Sequence, residues 1–130
     1  MIEIAVVGAH LSGLPLNGEL TSRGAVLRRQ MRTEPLYRLH ALAGGPPMRP
    51  GLIRVGPAEG AAIEAEVWAL PAAGFGEFVA GIPAPLCIGT VLLGDGTRPK
   101  GFLVEAAGLA GAEDITQFGG WRAFVAGHAT

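Results

Sequence analysis

The sequence predicts a mixed α+β domain organised around a curled sheet or small barrel. Gly (21) and Pro (10) are spread through the whole chain, which favours short strands and turns over long helices. Several segments alternate apolar and polar residues with period two, the mark of a half-buried strand. Helical signals are confined to short stretches near 17–22, 71–82 and 119–125.

Taken in order, Ile2 to Val7 is a strongly apolar first strand. Asn17 to Ser22 reads as one helical turn with Asn17 as N-cap. Ala25 to Arg32 sets apolar Ala25, Leu27 and Met31 against polar Arg28, Gln30 and Arg32, so it reads as a half-buried strand. Leu36 to Leu42, after Pro35, reads as its hairpin partner. Gly44 to Pro50 is a loop, and Leu52 to Val55 a short strand. In Ala62 to Leu70, Ile63, Ala65, Val67 and Ala69 share one face and Glu64, Glu66 and Trp68 the other. Pro71 suits the first position of a helix, continued by Phe75, Phe78, Val79 and Ile82. Ile88 to Leu93 and Gly101 to Glu105, joined through Gly94-Asp95-Gly96, form a second hairpin. Gly119 to Val125 reads as a short closing helix. Phe118 and Trp121 should pack on the rest, so truncation before Gly119 is expected to cost roughly several kcal/mol. No repeat or linker divides the chain, and 1–130 is read as one domain.

The hydrophobic content of 49% is enough for a packed core at this length. A formal net charge of −1 leaves no electrostatic footprint for nucleic acid. Arg23, Arg28, Arg29 and Arg32 come nearest to a basic cluster and read as hydrated side chains on an exposed strand. The single cysteine, Cys87, cannot form an internal disulfide and reads as a small buried hydrophobe. Glu3 stands where a signal peptide would be basic, and no apolar run approaches the roughly 18 residues of a membrane span. A cytoplasmic location without membrane or nucleic-acid partners is expected. No Gly-x-Gly-x-x-Gly or Walker-type sequence occurs, so no nucleotide cofactor is expected. His10, His40 and His128 are too far apart to suggest a metal site, and His40, Arg38 and His128 read as surface residues.

Chemistry concentrates in the first loop, Val7-Gly8-Ala9-His10-Leu11-Ser12-Gly13-Leu14-Pro15-Leu16-Asn17. A Gly-containing turn at a strand tip exposes N–H groups and lets a ligand approach the main chain. His10 is the only side chain of the segment that exchanges a proton near neutral pH. The N–H groups of Gly8, Ala9 and Leu11 beside that ring would hold a small anion, with His10 as acid/base. The alternative is a turn histidine exposed to water. Tyr37, the only tyrosine, is a candidate lining residue. Gly89 either leaves room for a ligand or permits a bulge. Glu64 and Glu66 could be an acid/base pair, but a solvated sheet face is the ordinary reading.

Four blocks carry a resemblance. Val6-Val7-Gly8-Ala9-His10-Leu11-Ser12-Gly13-Leu14-Pro15-Leu16-Asn17 resembles the start of the C-terminal domain of allophanate hydrolases. Ala61 to Pro71, Phe78 to Val91, and Asp114-Ile115-Thr116-Gln117-Phe118-Gly119-Gly120-Trp121-Arg122 resemble later blocks of that domain, in the same order. The family is similar in fold to the gamma-glutamylcyclotransferases. That implies a small mixed β-barrel with short helices packed outside and a pocket at its mouth, rimmed by Val7 to Leu11. In cyclotransferases the first loop reads Tyr-Gly-Ser-Leu or similar, whereas here a histidine is inserted. Their catalytic glutamate has no counterpart either: the nearest match, Phe78-Val79-Ala80-Gly81, places Ala80 where cyclisation needs a general acid/base.

In allophanate hydrolases this domain follows an amidase domain with a Ser-Ser-Lys centre, which this chain lacks. The resemblance implies decarboxylation of the amidase product, N-carboxycarbamate, by the first-loop histidine. The partners implied are a small carboxylate or carbamate and an amidase subunit. A non-catalytic module that assembles with or stabilises an amidase remains the alternative.

Overall fold

The first strand becomes the centre of the structure. A computed structural model describes residues 1–128, the side chain of His128 excepted. Five strands form one sheet: β1 (Ile2–Val6), β2 (Val26–Arg32), β5 (Glu64–Leu70), β6 (Leu86–Thr90) and β7 (Lys100–Val104), in the order β2-β5-β1-β7-β6. β1 pairs antiparallel with β5 and parallel with β7, so the sheet is mixed. A second, three-stranded sheet has the order β4-β3-β8, from β3 (Tyr37–Ala41), β4 (Pro50–Arg54) and β8 (Glu113–Asp114). The helices are short: α1 (Gly18–Thr21), α2 (Ala72–Ala80) and α3 (Trp121–His128).

The architecture is mixed α+β and dominated by its sheets, but the expected barrel is not closed. Among the described residues β2 and β6 are both edge strands of the larger sheet. Of the isolated bridges, Tyr37↔Ala61 links β3 to the segment before β5, and Thr33↔Leu93 joins the residues that follow β2 and β6. The expected hairpin between residues 25–32 and 36–42 is also absent. β2 pairs with β5, and β3 pairs with β4 and β8. Pro35 has no N–H to continue a ladder, and the chain crosses there into the second sheet.

The hairpin at Gly94-Asp95-Gly96 does form, with Leu86↔Val104 through Thr90↔Lys100 in register. Pro71 caps α2 one position earlier than expected. β2 is more exposed than its alternation suggests: Leu27 is open to solvent, because an edge strand is covered on one side only. A shift in register between Leu27 and Arg29 adds to this. The apolar core runs from Ile4 and Val6 through Val67, Trp68 and Leu70 to Trp121 and Phe124 of α3. The closing helix therefore packs into the core, as its aromatic residues suggested.

Candidate functional site

Residues 7–17 leave β1 as a chain of tight turns. Leu11 N–H donates to Gly8 O at 3.0 Å, Leu14 N–H to Leu11 O at 3.0 Å and Leu16 N–H to Ala9 O at 2.9 Å. Gly13 takes the left-handed conformation (φ 78°). Gly8 does not, and its glycine serves close approach instead: a Cβ there would lie 2.5 Å from Cγ and Cδ of Pro50. Asn17 does not cap α1 with its side chain. Its Nδ2 donates to His10 O at 2.8 Å and so braces the loop from within.

The loop is held from outside by a buried carboxylate. Glu66 faces inward on β5, only 1% exposed. It accepts from Ser12 N–H (2.8 Å), Ser12 Oγ (2.7 Å), Gln30 Nε2 (3.1 Å), Trp68 Nε1 (3.0 Å) and Arg122 Nη2 (3.0 Å). Arg122 also donates to Ser12 O at 2.7 Å. Burial alone would raise the Glu66 carboxyl, but the donors from Ser12, Gln30 and Trp68 outweigh it and hold the group below its usual range. The solvated-face reading of this position is therefore corrected. β5 is covered on both faces, and the polar residue among its inward positions is the one that anchors the loop.

His10 is 8% exposed rather than open to water. Its ring stacks on Phe102 (centroids 5.0 Å apart, 18° between planes) and meets Phe78 edge-on at 5.0 Å. Nε2 lies 2.8 Å from Glu19 Oε1 on α1. An ionised carboxylate can only accept, so in the neutral ring Nε2 carries the proton and Nδ1 is left as a base. Nδ1 makes no hydrogen bond among the described residues. Burial lowers the imidazole pKa below its ordinary value, against the opposing pull of Glu19 and with a further lowering from the nearby Arg49 charge.

His10 lines a narrow cleft of about 20 Å³ with Val7, Gly8, Ala9, Arg49, Pro50, Leu86 and Phe102. That is room for about one water. The structure thus brings together His10, Gly8 and Ala9, whose N–H groups make no hydrogen bond among the described residues. It leaves out the other candidates. Leu11 spends its N–H on Gly8, and its side chain is fully buried. Tyr37 is also fully buried, its hydroxyl accepting from Leu92 N–H at 2.9 Å. The space beside Gly89 is filled by Leu103, whose Cδ1 would lie 2.6 Å from an added Cβ.

Sequence reasoning missed Glu19 and Arg49. The first sits nine residues beyond His10 with no periodic relation to it, and the second lies in a loop. Arg38 is not a free edge charge: its Nε donates to Asp114 Oδ2 at 2.6 Å. Nor is Arg29, which pairs with Glu3 at 3.1 Å. The Cys87 thiol is raised by burial and by Glu105, away from a reactive thiolate. The side chain of His128 lies outside the described residues. Among those residues no helix is long and apolar enough to cross a membrane.

A family model described as the allophanate hydrolase C-terminal domain matches residues 2–126. The urea amidolyase of Saccharomyces cerevisiae is 44% identical over 126 residues, covering 95% of this chain and 7% of that protein. The crystal structure of the Kluyveromyces lactis urea amidolyase superposes with a TM-score of 0.95 at 39% identity, over 99% of this chain and 8% of that one. A uropathogenic E. coli-specific protein superposes with a TM-score of 0.88 at 35% identity, covering 99% of this chain and 98% of its own. The chain spans less than a tenth of the length of the urea amidolyases it matches. Fold, first loop and sequence agree: the chain belongs to the allophanate hydrolase C-terminal domain family.

Proposed function

We propose that the chain decarboxylates N-carboxycarbamate, or a related small carbamate, in urea and allophanate degradation, with His10 as acid/base and the Gly8 and Ala9 N–H groups as anion contacts. The observation that carries this reading is the state of the His10 ring. It is fixed by Phe102, Phe78 and Glu19, yet keeps Nδ1 unpaired, and it shares its cleft with Gly8 and Ala9, whose N–H groups are also unpaired among the described residues. A bound carboxylate favours the imidazolium. Proton uptake on binding would then load Nδ1. As the C–N bond to the leaving carboxylate breaks, CO2 departs, the bonding pair moves to nitrogen, and that nitrogen takes the Nδ1 proton. Carbamate and neutral His10 remain, and the balance closes without a further reactant.

The second reading, a non-catalytic module that assembles with an amidase, is favoured by the small share of the urea amidolyases that the chain spans. One experiment separates the two. The chain is mixed with an allophanate hydrolase reduced to its amidase part, and CO2 release is followed. The catalytic reading expects faster release with the native chain and the background rate with His10→Ala. Equal rates for the native chain, His10→Ala and no addition would refute it, and co-elution with the amidase would then support assembly.

A further inference from the structure

We propose that Arg49 anchors the carboxylate of the ligand, and that the ligand is a small aliphatic acid or carbamate held between this guanidinium and His10. The inference rests on the His10 cleft being the ligand site and adds the group that reads charge there. Arg49 closes the loop before β4. Its neighbour Pro50 packs against Gly8, which keeps the arginine beside the first loop.

The Arg49 side chain makes no hydrogen bond or ion pair among the described residues, and its Nε is withdrawn from solvent without an acceptor. Arg28, Arg54 and Arg98 also have no such partner, but they are exposed and keep their water. Arg49 is half-buried. A guanidinium that has given up water without an acceptor is costly. A carboxylate offsets that cost with two parallel N–H···O bonds to its planar fork.

The position of Arg49 specifies the ligand further. It lines the His10 cleft and also a neighbouring cavity of about 310 Å³, walled by Gly44, Gly45, Pro83, Pro85 and Gly108. Arg49 is the only charged residue among those that line this cavity. Leu86 is shared by the two spaces as well. The cleft alone is water-sized, and Arg49 and Leu86 also line the wider cavity, so a ligand that touches both His10 and Arg49 has room on that side. Arg49 also disfavours the proton on His10 at rest. An anion that neutralises Arg49 removes that restraint, so binding and protonation of His10 are coupled.

Malonate is the probe, with neutral malonamide as control. Both are titrated into the native chain, Arg49→Gln, Arg49→Lys and His10→Asn, read by the backbone amide resonances of Gly8 and Ala9 and with near-UV circular dichroism as the fold check. Saturable shifts are expected with malonate and none with malonamide. Arg49→Gln should weaken malonate about tenfold or more, the size of a lost charge-assisted bond. Arg49→Lys, a point charge without the fork, should weaken it by about threefold or more, and it decides the matter if Arg49→Gln loses its fold. His10→Asn should also weaken malonate, by less than Arg49→Gln, because the imidazolium that binding favours is lost while the guanidinium remains. Native-like affinity in the folded Arg49 variants overturns the anchor and leaves the His10 reading standing. No saturable malonate shift in the native chain overturns both.

Discussion

A histidine stacked on one phenylalanine and edged by another has given up most of its water, and a charged ring tolerates that poorly. Burial sets the direction at His10, and Glu19 supplies the main counterweight. Glu19→Gln removes the carboxylate charge and weakens the hydrogen bond, so the His10 midpoint should fall further below its usual value of about 6.5. A histidine-resolved NMR titration measures this directly; a midpoint that stays or rises would show that Glu19 does not support the ring. The sign for stability follows. The unfolded chain takes up a proton near the ordinary value and the folded chain only at lower pH, so His10 opposes folding progressively as pH falls below about 6.5. His10 was legible in the sequence because it interrupts a glycine turn at a strand end. Glu19 and Arg49 were not, because hydrogen-bond and charge partners across turns leave no periodic trace.

At the scale of elements, legibility depended on whether the partner was near in sequence. The β6–β7 hairpin was visible because its turn residues sit between the strands, and neighbouring strands usually pair. The same prior failed for β2, whose partner β5 begins more than thirty residues later. It failed again for the polar face of β5, where alternation normally means water. Glu66 breaks that rule because Ser12 and Arg122, distant in sequence, converge on it. Glu66→Ala would take the shared acceptor from Ser12, Gln30 Nε2 and Trp68 Nε1, and would leave Arg122 with Ser12 O. Arg122 is partly exposed and stays solvated, so the loss comes mainly from the buried donors left unpaired, about 1–3 kcal/mol, and urea unfolding at pH 7 should show a loss of that order. The carboxyl sits below its usual value in the fold, so its contribution is complete above an unfolded value near 4.5 and is lost as pH drops through the lower folded one. In the Ala variant that acid-dependent part of the stability profile should flatten. An unchanged urea midpoint would mean that the first loop does not need its anchor.

At the scale of the molecule, β1 at the centre of the larger sheet, β3 and β4 of the second sheet and α3 all contribute to one continuous core. The fold class and this core were readable from composition and period. The open edges were not, since closure depends on which strands meet across long stretches of chain. The E. coli relative of nearly equal length shows this architecture at domain size.

The contact from Arg122 to Ser12 joins residues 110 apart in the chain. Closing so wide a loop is entropically expensive before other contacts have shortened the path, so this clasp belongs to the downhill side of the folding barrier. A bond made after the barrier governs how fast the native state escapes and has little effect on how fast it forms. Arg122→Met should therefore steepen nothing and shift one limb only: stopped-flow unfolding should accelerate by most of the lost stability, with refolding nearly unchanged. Slowed refolding with unaltered unfolding would place the clasp in the nucleus instead. A late-forming clasp would leave the first loop, one end of which it holds, among the later parts of the molecule to become rigid, and the persistence of the loop geometry would then follow how long α3 stays in place.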